Sequence, residues 1–174
     1  MSPQEAKTTM SPQAARIIAD YLITEIQQEI PTTVRVIEAV QADKQDYSPD
    51  AKSKTGLALI RHLVVSDAWF LNSVANGAFV GGNSDESDTC GIMTSAEGAA
   101  KYNELVTAAL ARVKALPDEK LAEEVDFFGF MKPPMVILLG FMVKHSIHHR
   151  GQLSAYLRAM GGKVPGIYGP SGDM

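Results

Sequence analysis

Apolar residues recur every three or four positions in four separate stretches of this chain, and no two stretches alternate as a pair of half-buried strands would. That spacing limits the fold to helices packed side by side, because an amphipathic helix can bury its stripe only against another element. Ser11 and Pro12 suit the cap and first position of the first helix. Ile17, Ile18, Tyr21, Leu22, Ile26 and Ile30 follow at helical spacing, and Val34, Ile37 and Val40 resume it beyond Pro31, so one bent helix is expected. After a polar connection over 43–52, Ser53 or Thr55 opens a second helix carrying Leu57, Ile60, His62, Leu63, Val64, Trp69, Phe70 and Val74, which ends near Asn76-Gly77. Thr94-Ser95-Ala96-Glu97 is a capping box for the third, whose apolar face is Tyr102, Leu105, Val106, Ala109, Leu110 and Val113. Pro117 ends that helix, and 118–125 is expected to add a short helical turn. The fourth runs from Pro133-Pro134 to Met160, where Gly161-Gly162 supplies the left-handed backbone of a helix end.

The fold expected is therefore all-α, a four-helix bundle whose longer loops leave room for a crossover connection. Residues 1–10 read as a flexible tail, 11–174 as one bundle domain, and 81–88 as a mobile surface loop. The segment 126–131 suggests extended chain. At 174 residues with 45% hydrophobic content, one domain with a substantial core is expected. A net charge of −4 argues against a broad nucleic-acid interface, which needs a basic face. The longest apolar run, 135–143, is too short to span a bilayer, so no membrane partner is expected. One cysteine, Cys90, leaves no internal disulfide framework and fits a reducing cytosol, and no signal-peptide pattern opens the chain; a cytoplasmic protein is expected. Cys90 has no neighbour that would activate it as a nucleophile.

Three of the four histidines lie in His145-Ser146-Ile147-His148-His149. On a helix His145 and His149 fall about 40° apart, with Gln152 and Tyr156 on the same face and Arg150 turned away. Two imidazoles one turn apart on a rigid rod can grip a divalent ion. His62 shares a stripe with Thr55, Ser66, Trp69 and Ser73, whereas Asp67 lies about 140° round and is expected to face outward. A histidine flanked by Leu63 and Val64 is expected to be at least partly buried, and each ring nitrogen then needs a partner. On the residues alone, two readings stay open: a three-histidine metal site, or hydrogen-bonded core histidines. The Glu-x-x-His motif of di-iron bundles is missing, and Ser146 stands where a zinc-protease helix needs glutamate.

The segments Leu59-Ile60-Arg61-His62-Leu63-Val64 and His145-Ser146-Ile147-His148-His149-Arg150-Gly151-Gln152 resemble the DinB family. So do Leu157 to Gly161, Ile167 to Asp173, Asp46-Tyr47-Ser48-Pro49 and Ala68-Trp69-Phe70. The resemblance implies a four-helix bundle with crossover (up-down-down-up) topology, commonly a homodimer, and a divalent ion held by His62, His145 and His149. Zinc or nickel is the ion expected first, with iron or manganese behind, since imidazoles suit several metals. Ser66, Trp69, His148, Gln152 and Tyr156 are expected around the ligands or in the pocket. His148 is expected to pack or support rather than ligate, because a helix cannot easily aim adjacent residues at one ion. Arg150 is expected in a salt bridge or an interface.

Three nitrogen ligands leave a position open, where a metal can activate water or a thiol. The resemblance thus implies thiol S-transferase chemistry on a small electrophile, with a low-molecular-weight thiol as cosubstrate, or a related hydrolysis. Two alternatives stand beside it. One is a non-catalytic metal-binding or stress-response bundle; the other is a purely structural helical dimer in which His62 lies away from the pair.

Overall fold

The computed structural model describes residues 9–81 and 91–173. Its elements are α1 (Pro12–Glu38), α2 (Gly56–Asn76), α3 (Ser95–Lys114), the short α4 (Asp118–Ala122) and α5 (Met135–Ala159). Each helix begins or stops where the local chemistry dictates. The Ser11 and Thr55 hydroxyls accept from the amides of Ala14 and Ala58, and Thr94 with Glu97 closes the capping box. Gly77 turns left-handed behind α2 at φ 73°. At the end of α5, Gly161 at φ 78° donates to the Arg158 carbonyl and Gly162 to that of Leu157, a Schellman end. A single helix passes through Pro31.

α1 and α2 each pack against both α3 and α5, so α1 and α2 face each other across the diagonal of the bundle. Side-chain contacts give the helix directions. Ser95 at the start of α3 bonds the carbonyl of Val40 just past the end of α1, and Arg16 near the start of α1 bonds that of Leu116 just past α3, so these two run antiparallel. Arg61 reaches Ile92 just before α3, while Arg112 reaches Asn72 and Asn76, so α2 and α3 run parallel. Close approach is built in between them: a Cβ on Gly98 of α3 would lie 2.4 Å from Cγ2 of Ile60 on α2.

Some expectations from periodicity change. Ile17 and Tyr21 are 64% and 63% exposed, because the buried stripe of α1 runs through Ala15, Ala19, Ile23, Ile26, Ile30, Thr33 and Ile37, two positions off theirs and so on the opposite side of the helix. Leu105 likewise lies outside the buried stripe of α3. The segment 126–131 is not a strand: one isolated bridge joins Phe127 to Met131 around a tight turn, with Phe128 and Gly129 both at positive φ. Residues 1–8 of the expected tail, 82–88 of the expected loop, and Cys90 lie outside the described residues. No helix among the described residues is long and apolar enough to cross a membrane.

Candidate metal centre

α2 and α5 meet at three imidazoles. His62 comes from α2, and His145 and His149 from successive turns of α5. The Nε2 atom of His62 lies 3.0 Å from Nε2 of His149 and 3.0 Å from Nε2 of His145. The ring that stands furthest away in sequence is thus within bonding reach of the other two, which removes the reading of a helical dimer with His62 apart. Among the described residues, these three form the one group of histidine, cysteine or acidic side chains gathered closely enough to hold a metal.

Each ring also has a partner on its outer nitrogen. Nδ1 of His145 bonds Asp67 Oδ1 at 2.9 Å, Nδ1 of His149 bonds Gln152 Oε1 at 2.7 Å, and Nδ1 of His62 lies 3.2 Å from Ser66 Oγ. A carboxylate only accepts, so His145 carries its proton on Nδ1 and turns a bare Nε2 inward; His149 does the same while the Gln152 amide presents its oxygen. His62 completes the contacts either with a proton on Nε2, donated to one of the other two rings, or bare, in which case lone pairs 3.0 Å apart repel unless a cation lies between them. Burial pushes the pKa of His149 from 6.5 down to about 4; the other three histidines add to this, and Gln152 opposes it. The ring is therefore neutral near pH 7, the form a metal requires. Nitrogen donors, neutral and convergent, fit a divalent transition ion.

The surroundings are asymmetric. On one side a cavity of about 150 Å³ is lined by Ser53, Lys54, Leu59, His149, Gln152 and Tyr156. Tyr156 also sets its ring edge against Tyr47 at 5.6 Å. On the other side Phe70 lies 5.8 Å from His145, backed by Trp69, Phe79 and Phe127. Trp69 packs on Phe70, Phe79 and Phe128 at this aromatic layer. His148 is exposed and touches His149 ring to ring at 4.8 Å, outside the cluster.

Asp67 corrects the helical-wheel expectation. It is fully buried, with Oδ1 on His145 and Oδ2 accepting from the Tyr102 hydroxyl at 2.9 Å. α2 lies between α3 and α5, so its buried arc is wider than one stripe and takes in a residue about 140° from His62. Phe70 and Tyr102 were visible in the sequence only as core positions. Arg150 does form a salt bridge, to Glu29 on α1, and is 1% exposed. It also donates to Thr33 and to Tyr168 of the C-terminal segment.

Comparison with known proteins agrees with this architecture. The model of the DinB family matches residues 10–173. YjoA of Bacillus subtilis is 30% identical over 133 residues, 74% of this chain and 82% of YjoA. The crystal structure of that DinB-like protein superposes with a TM-score of 0.70, covering 87% of this chain and 99% of the other. YrdA of the same organism is 43% identical over 54 residues, 31% of this chain; the match spans only 32% of YrdA. YfiT of B. subtilis, described as a probable metal-dependent hydrolase with an unusual four-helix bundle topology, shares the fold. Its TM-score is 0.64 at 20% identity, over 94% of this chain and 95% of YfiT.

Proposed function

Since the chain belongs to the DinB family, we propose that it is a metal-dependent enzyme in which His62, His145 and His149 hold one divalent ion, zinc or nickel foremost, and that it transfers a low-molecular-weight thiol to a small electrophile. The observation that carries this reading is the convergence of three Nε2 atoms whose rings each have a partner on the outer nitrogen. An ion bound there supplies Lewis acidity, which lowers the pKa of a thiol or of water. The chain's own residues do the rest. Gln152 and Asp67 hold the ring protons of His149 and His145 away from the centre. The cavity beside His149 offers the Ser53, Gln152 and Tyr156 polar groups and the Lys54 cation to a small polar substrate. Phe70 and Phe127 screen the opposite side from water. In the transfer itself the thiol sulfur forms a bond to carbon, the leaving group departs with its electron pair, and the thiol proton passes to solvent.

Hydrolysis is the second reading, favoured by the description of YfiT; water then takes the place of the thiol. A homodimer in the cytoplasm belongs to the same proposal. Exposed Phe130, Met131, Ile137 and Phe141 give it apolar surface near the start of α5, and sedimentation of the metal-loaded protein tests it.

The test has two steps. Protein purified without a nickel column is assayed for bound metal, with about one ion per chain expected. Metal-loaded wild type and His149→Ala are then incubated with thiols and an electrophile. Turnover by the wild type alone supports transfer; release of product without thiol supports hydrolysis. Equal rates in both proteins remove the cluster from the chemistry, and metal uptake without turnover leaves a non-catalytic metal-binding bundle.

A further inference from the structure

We propose that Asp67 is the positioning residue of this centre: its buried carboxylate sets the tautomer and ring angle of His145 and lends negative charge to a site otherwise built of neutral donors. The inference rests on reading the cluster as a metal site. Of the three outer-nitrogen partners, a serine hydroxyl can donate or accept, and an amide can turn over, so neither Ser66 nor Gln152 dictates a tautomer alone. Asp67 can only accept, and so it does.

Asp67 is itself held in place. Its Oδ2 accepts from Tyr102, whose oxygen lies 3.1 Å from Ser146 Oγ. Asp67, Tyr102 and Ser146 are 0%, 1% and 3% exposed and come from α2, α3 and α5, so three helices fix one carboxylate. Both of its oxygens are engaged away from the centre, which makes it a support for a ligand and not a ligand. Burying a carboxylate in a helical core is costly unless charge is returned nearby. A dication on the far side of the His145 ring returns it, as carboxylate–histidine–metal arrangements do in general.

The test compares Asp67→Asn and Tyr102→Phe with wild type. Zinc affinity is measured by competition with a chromophoric chelator, and thermal unfolding is followed with and without zinc. Asp67→Asn keeps the shape and removes the charge. Its zinc affinity should fall about 10- to 100-fold. Its metal-free melting temperature should equal or exceed that of wild type, because an uncompensated buried charge has gone. Tyr102→Phe frees the carboxylate and should lose affinity in the same direction by less; it carries the test if Asp67→Asn does not fold. Affinities within twofold of wild type overturn the proposal. So does a loss of stability that is the same with and without zinc, which marks a purely structural role. A wild type that takes up no zinc overturns the metal reading and this inference together, whereas a zinc-binding wild type with an unchanged Asp67→Asn overturns this inference alone.

Discussion

Two polar clusters sit back to back on α5, one residue apart, and they are built to opposite rules. His149 faces α2 and Arg150 faces α1. Around Arg150 the account is closed: the guanidinium is 1% exposed and meets the Glu29 carboxylate, the Thr33 hydroxyl and the Tyr168 hydroxyl. Charge is balanced inside the cluster, and the result ties α1, α5 and the C-terminal segment together. Around His149 the outer nitrogens are engaged by other side chains, while the inner ones face one another at 3.0 Å and the cluster borders a cavity. A polar cluster that completes itself holds a fold together. One whose donor atoms converge on a single point is arranged to hold an ion.

Substitutions on the two faces should therefore fail in different ways. The largest expected effect is on the histidine side. With free zinc about 1,000-fold above Kd, bound metal should stabilise the wild type by about 4 kcal/mol, and His62→Ala should abolish that gain while the metal-free protein still unfolds cooperatively. Calorimetry with and without zinc reads both. On the other face Arg150→Ala strands Glu29 and should cost about 3–5 kcal/mol in chemical denaturation, whether or not zinc is present. If zinc shrinks the deficit of Arg150→Ala relative to wild type, or if His62→Ala unfolds the chain, the division between the faces is broken.

A smaller effect tests the packing that brings α2 to the site. Gly98→Ala places a methyl against Ile60 at 2.4 Å and should cost about 1–3 kcal/mol, partly offset by the better helix propensity of alanine. Denaturant midpoints measure it, and a stabilised variant would show that α2 and α3 can separate freely. The smallest effect is on pH dependence. The folded pKa of His149 is depressed from 6.5 to about 4, so between those values the unfolded chain binds a proton that the folded chain refuses. Metal-free stability should thus be fully present above about pH 6.5 and decline as pH falls toward 4. His149→Gln should flatten that part of the profile, and an unchanged slope would assign it to other groups.

Much of this is legible in the amino-acid sequence. Ser11, Thr55, Thr94 with Glu97, and Gly161 mark helix ends by local hydrogen-bond chemistry, and the structure uses each of them there. The four-residue spacing of His145 and His149 puts them on one face of any helix. The misreadings share a cause. Ile17, Tyr21 and Leu105 have helical spacing, yet which arc of a helix is covered depends on where its neighbours lie. Asp67 differs in the opposite sense: an acidic residue off the main stripe is usually solvated, but here two flanking helices enclose it and supply its partners.

The amino-acid sequence by itself determined the number of long helices, where they start and stop, and the candidate donors on two of them, because caps, propensity and periodicity act over a few residues. Only the tertiary structure decided that His62 closes the triangle, that Asp67 and Tyr102 stand behind His145, and that Arg150 finds Glu29. Those contacts join residues dozens to more than a hundred positions apart. No local preference specifies them; they follow from the relative rotation of packed helices, which is set when all the apolar stripes are buried together.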